Sequence, residues 1–299
     1  MKLLIVGDIH CDFVGPKNRS ENFYNCFIEK IKQIEQIANV CDIDNIVCLG
    51  DFFENYVVDY FERIIFDLSP ILSKRNWYSL VGNHDNKKVD GTDIRGTSFG
   101  ALVATGLLKE AKHLPNILQN VNCDIFDYYN RENFDKNKKF DDKLSIAFIH
   151  EFVMPENTNE NFDFKKCEES NYDFVFCGHY HYDFDEKVGK TRYINPGSLM
   201  RLTINKKDAD RNPKIIIFDT ETRELDYVLL ETKNDVFLNN TANEEKLLNF
   251  NSKFTEMLID KNLTQGNSND IITLLKKNNV DEKIVKYIQK KTEEIENEH

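Results

Sequence analysis

Apolar positions in the first third of the chain fall into short runs that stop at glycine. Residues 2–6 are aliphatic and end at Gly7, residues 45–49 (NIVCL) end at Gly50, and residues 76–81 (NWYSLV) end at Gly82. Runs of this length and composition predict buried strands. Between them, residues 21–39 place Phe23, Phe27, Ile28, Ile31, Ile34 and Ile37 at helical spacing, with Ser20 as the expected cap. Residues 57–73 read as a second helix. The resulting β-α-β-α-β order calls for parallel strands with helices on the sheet faces, an α/β fold.

Beyond residue 120 the pattern becomes a series of short strands, expected at 123–129, 144–149, 173–177, 191–194, 214–219 and 225–231. Polar stretches separate them, as in a second, mixed sheet. Residues 151–171 read as a loop or insertion. A boundary is expected at about 235–242, which gives a main domain over 1–235 and a helical segment over 240–299. In that segment 243–258, 269–277 and 281–296 carry apolar residues at helical spacing.

Composition narrows the setting. Seven cysteines without a CxxC disfavour a zinc ribbon or a disulfide framework and fit a reducing interior. The apolar run near the N-terminus is too short for a signal-peptide core, and no stretch reaches the length of a membrane span. A soluble, cytoplasmic protein with no membrane partner is expected. The net charge of −12 opposes nucleic acid at long range, although bound cations can invert the field inside a site.

The chemistry gathers at the strand ends. The first run leads into Gly7-Asp8-Ile9-His10, the second into Gly50-Asp51, and the third into Gly82-Asn83-His84-Asp85. Later, His150 closes LSIAFIH, and Gly178-His179-Tyr180-His181 follows YDFVFC. Five of the seven histidines therefore sit at predicted strand termini, leaving His113 and His299 elsewhere. The carboxyl ends of parallel strands are where open α/β sheets bind ligands. A single histidine in such a place is ordinarily a satisfied surface or core residue; five with three acid or amide groups are not.

In this order the motifs GDIH, GD, GNHD, H and GHYH resemble the calcineurin-like metallophosphoesterase superfamily over residues 2 to about 231. The resemblance implies a four-layer sandwich, two mixed β-sheets flanked by helices. It also implies a site for two divalent metal ions. Carried over by position, Asp8, His10 and His181 would hold one ion, Asn83, His150 and His179 the other, and Asp51 would bridge them. Imidazole and oxygen donors without thiolate suit Mn2+ first, with Fe2+, Zn2+ or Mg2+ as alternatives. Two such cations activate water and spread the charge of a phosphate. The resemblance gives His84 a catalytic role at the leaving oxygen. Asp85 would either orient the His84 ring or cap the following segment.

Within the superfamily, GDFF, GNHD and GHYH are most similar to the SbcD-type DNA-repair nucleases. The chain is short for a cellular member, which favours a reduced, phage-like version. DNA is then the implied substrate, and an SbcC-like SMC-type ATPase the implied partner of the C-terminal helices; those helices could instead pack on their own domain. Pairing into a homodimer is a further arrangement open to it. Residues 187–214 hold eight bases and two acids, either a rim for a polyanion or a solvated loop. Glu54 stands where some members carry a histidine, a departure that bears on exonuclease activity. The enzymatic rival is a phosphatase or phosphodiesterase for nucleotides or other small esters. A non-catalytic scaffold is disfavoured because every ligand position is filled.

Overall fold

The computed structural model describes residues 1–16, 19, 23–86, 93–155, 165–203 and 205–232. The expected cap Ser20, the boundary at 235–242 and the helices expected beyond it lie outside these residues. The first half of the chain alternates strand and helix: β1 (Lys2–Val6), α1 (Phe23–Val40), β2 (Asn45–Cys48), α2 (Phe61–Leu72), β3 (Asn76–Ser79), α3 (Ser98–Ala104) and β4 (Lys109–Glu110). Helix α2 starts four residues later than its apolar spacing suggests, because Tyr60 takes a left-handed conformation (φ 57°) that a helix cannot include.

The second half is richer in strands: β5 (Val121–Phe126), β6 (Leu144–His150), β7 (Val153–Met154), β8 (Lys165–Lys166), β9 (Phe174–Gly178), β10 (Phe184–Val188) and β11 (Thr191–Asn195). A short helix α4 (Lys206–Ala209) and the strands β12 (Lys214–Asp219) and β13 (Leu225–Leu229) follow. The stretch expected to be a loop at 151–171 contains the parallel two-stranded ribbon β7–β8. Strand β10 has no apolar run of its own; its alternate residues are exposed, as suits an edge strand.

These strands form two mixed sheets. One has the order β13-β12-β1-β2-β3-β4, with β1 to β4 parallel and β12 antiparallel to β1. The other has the order β10-β11-β9-β6-β5, parallel except for β10. Side-chain alternation stacks the layers. Leu3 and Ile5 of β1 join Val47, Ile146, Phe148, Phe176 and Phe218 in the core between the sheets. Leu4 and Val6 face the other way, onto Phe27, Ile31 and Ile34 of α1 and Leu68 of α2. On the far face of the second sheet, Ile149, Val175 and Tyr193 pack with Tyr172 and Val153. No helix among the described residues is long and apolar enough to cross a membrane.

The inter-sheet core makes a direct prediction. Phe148 is fully buried and stacks on Phe176 at 5.2 Å between ring centroids. Phe148→Ala should lower the unfolding free energy by about 3–5 kcal/mol in urea titrations. Phe66→Ala, at a ring 75% exposed on α2, should change it by less than about 0.5 kcal/mol.

Candidate metal centre

The parallel strands of both sheets deliver their carboxyl ends to one place. The β1 and β2 turns are locked together by main-chain bonds from Ile9 and His10 to the Asp51 carbonyl (3.1 and 2.9 Å). The β9 turn is tied to β1 by the His179 N–H, which donates to Asp8 Oδ2 at 2.9 Å. The β3 turn joins through the His84 N–H, which donates to Asp51 Oδ1 at 2.8 Å. Packing this close leaves no space for side chains at the motif glycines. A Cβ on Gly50 would sit 2.2 Å from His150 Nδ1, and one on Gly82 would sit 2.0 Å from Asp51 Oδ1. His10, Asp51 and His179 all have left-handed backbones, with φ of 50°, 44° and 75°. Such residues cost roughly 1–3 kcal/mol each and persist only where the surroundings hold them.

The donor atoms converge as the motif order implies. One atom each from Asp8, His10, Asp51 and His181 lies within 4.8 Å of the others, and the same holds for Asp51, His150 and His179. Asp51 belongs to both groups. Asn83 stands beside the second, its Oδ1 3.1 Å from His150 Nε2.

Three observations show that these atoms fit cations. First, Asp8 Oδ1 and Asp51 Oδ2 are buried and have no hydrogen-bond partner. Second, His150 Nδ1 donates to the Leu49 carbonyl at 2.7 Å, so Nε2 of a neutral ring carries a lone pair. That nitrogen faces Asn83 Oδ1 and, at 3.3 Å, Asp51 Oδ2, both acceptors. Third, His10 Nε2 and His181 Nε2 meet at 2.9 Å. Each contact is closed by a proton or a cation between its atoms.

Without metal, protons must serve. Burial works against a charged His150, but the Asp51 carboxylate outweighs it and holds the ring's pKa up at about 10. Burial would raise the Asp51 pKa, yet His150 and then His10 pull it far below the usual range. Burial lifts Asp8 to about 6. It also lowers His179 to about 3, helped by the positive charge on His150, and it lowers His181 beside His10. The donor set thus divides into two rings held toward the protonated form, His150 by Asp51 and His10, against its burial, by Glu54 and Asp51, and two held neutral, His179 and His181.

The structure gives Asp85 a different task from orienting His84. Its oxygens accept from the backbone N–H groups of Phe52, Phe53 and Gly82, at 3.2, 3.0 and 3.0 Å. The His84 ring is held instead by the main-chain oxygen of Glu54, 2.5 Å from Nδ1. Asp85 therefore clamps the second motif to the third. Residues 195–199 have a similar bracing role: Ser198 N–H donates to the His181 carbonyl and Leu199 N–H to the Asp8 carbonyl, at 3.0 and 2.7 Å. A cavity of about 620 Å³ lies over the outer face of the second sheet between Phe134, Val153, Lys165 and Tyr193. None of its lining residues belongs to the donor groups.

The family model of the calcineurin-like phosphoesterase superfamily domain matches residues 1–223. The chain belongs to that superfamily. Similar solved structures include an archaeal phosphodiesterase, with 18% identity and a TM-score of 0.35 over 77% of this chain and all of that one. A 5'-nucleotidase precursor from Thermus thermophilus shares 10% identity, with a TM-score of 0.40 over 86% of this chain and 59% of its own. A single mutant of Vps29 from Entamoeba histolytica shares 14%, with a TM-score of 0.33 over 77% of this chain and all of that one. No curated protein matches the chain.

The clamp in this phosphoesterase domain is testable. Asp85→Ala would strand three N–H groups at a buried position, so stability should fall by about 3 kcal/mol or more. Asp85→Asn, which keeps an acceptor oxygen, should fall less. Equal stability of Asp85→Ala and the parent in urea titrations would refute the clamp.

Proposed function

We propose that this phosphoesterase domain hydrolyses phosphodiester bonds with two divalent cations, Mn2+ first among them, and that its substrate is DNA. The observation that carries the hydrolase reading is the pair of donor groups that share Asp51. Asp8, His10 and His181 would hold one ion, and Asn83, His150 and His179 the other. When bound, such a pair supplies an activated water and neutralises charge on the phosphate oxygens. The chain's own residues fix the rest. Asp51 is held in place at Oδ1 by His84 N–H, leaving Oδ2 toward both groups. His84 has Nδ1 engaged by the Glu54 carbonyl, so any proton it hands to a leaving oxygen travels through Nε2.

Two features support DNA: the SbcD-like combination of GDFF, GNHD and GHYH, and a lysine beside the GHYH turn. Lys207 stands 3.9 Å over the ring of Tyr182, next in sequence to His181, and donates to the Tyr180 hydroxyl at 3.0 Å. The same reading assigns residues 240–299 to an SMC-type ATPase partner, or to a second copy of the chain. Charge favours a rival substrate, a small phosphate ester. Five of the eight bases in 187–214 are already engaged, Lys207 among them. Arg201 and Arg211 are buried on main-chain carbonyls of Ala209, Ser198 and Met200. Arg192 and Lys214 pair with Asp185 and Asp183.

Plasmid DNA and bis-p-nitrophenyl phosphate, each with added Mn2+, separate these readings. Cleavage of both is expected; turnover of the ester with the plasmid left intact would sink the nuclease. His84→Asn should keep metal binding and lose about 10²–10⁴-fold in turnover. Asp51→Ala should lose metal and activity together, measured by metal content after gel filtration.

A further inference from the structure

We infer that Glu54 is a positioning residue for the metal centre: its carboxylate fixes His10 so that Nε2 is offered to the cation. The inference rests on the two-cation reading above. Glu54 Oε2 lies 2.8 Å from His10 Nδ1, an ion-pair contact to a buried ring nitrogen that has no other partner. On the other side of the ring, Nε2 faces His181 Nε2 at 2.9 Å and Asp51 Oδ2 at 4.0 Å. An acid at Nδ1 keeps the proton there and leaves the Nε2 lone pair for metal, the carboxylate–histidine–metal arrangement.

Glu54 is itself well placed to do this. Its N–H donates to the Cys11 carbonyl at 3.1 Å, one residue beyond His10. Its carbonyl, as described, holds His84 Nδ1. One residue therefore grips the expected ligand ring by its side chain and the expected catalytic ring by its backbone. Substitution of the side chain should affect the first and spare the second. Direct metal ligation is the competing role, since Glu54, His10 and His84 each offer an atom within 4.8 Å of the others. It is disfavoured because Nδ1 of both rings already faces an oxygen of Glu54.

The test is a Mn2+ titration of the full chain, following the electron paramagnetic signal of the free ion, for the parent, Glu54→Ala and Glu54→Gln. The parent should bind two ions. Glu54→Ala should bind one about 10–100-fold more weakly and the other unchanged. The Mn2+ concentration for half-maximal ester turnover should rise by the same factor. Glu54→Gln keeps an acceptor for Nδ1–H and should recover much of the loss. Unchanged affinities in Glu54→Ala would overturn the inference. So would equal weakening at both sites with a lower melting temperature, which would make Glu54 merely structural. A third ion bound by the parent and lost in Glu54→Ala would overturn it in favour of direct ligation. A parent that binds no Mn2+ would sink the two-cation reading itself.

Discussion

The structure depends on holding acceptor atoms together in a buried place where, among the described residues, the two carboxylates meet no lysine or arginine. Asp8 and Asp51 are both buried, and their recorded ionic contacts are all to histidines. Orphaned acceptors of this kind cost about 1–3 kcal/mol each, more when charged. Three left-handed residues add a comparable amount. The sum is a sizeable part of the roughly 5–15 kcal/mol by which a domain is ordinarily stable. The two-sheet core offsets it, and the main-chain bonds between the turns at the ends of β1, β2 and β9 keep the site from relaxing. Cations shared by the two donor groups would relieve the electrostatic part and leave the backbone strain in place.

The parts of the fold most legible in the sequence are those with a simple physical signature. A strand buried on both faces is nearly all apolar, so β1, β2, β6 and β9 could be read directly. Helix α1 showed its stripe. Strand β10 was missed because an edge strand beside solvent carries Asp185, Glu186 and Lys187, a composition no different from a loop. Helix α3 was missed because it is only seven residues long. The start of α2 was misplaced because nothing in the sequence marks Tyr60 as left-handed.

The site was legible in its residue types and less so in its supports. Every motif residue expected near the metals lies where the strands converge, since a motif at the end of a parallel strand has only one edge to occupy. Asp85 and Glu54 show the limit. Both are acids beside the third and second motifs, and sequence alone does not say which oxygen meets which nitrogen. Asp85 turns inward to three backbone N–H groups, while Glu54, a residue marked only as a missing histidine, faces the His10 ring. Which acid meets the ring is decided by chain direction after the Gly50 and Gly82 turns, a three-dimensional fact.

The same limit applies to charge. A count of eight bases in 187–214 suggests a cationic rim, but a guanidinium can serve as an interior cross-link when enough carbonyls surround it. Arg211 does so, reaching Ser198 and Met200 from beside Asp208, and thereby stiffens the segment that braces the Asp8 and His181 turns. The bases that look like substrate contacts in the sequence are thus partly scaffolding for the ligands. With a net charge of −12 over the whole chain, attraction for a phosphate would come from cations held by the donor groups. Local fields of that kind act over about a Debye length, roughly 8–10 Å at physiological salt. They act on a phosphate at the site, but they give little long-range steering toward a polyanion.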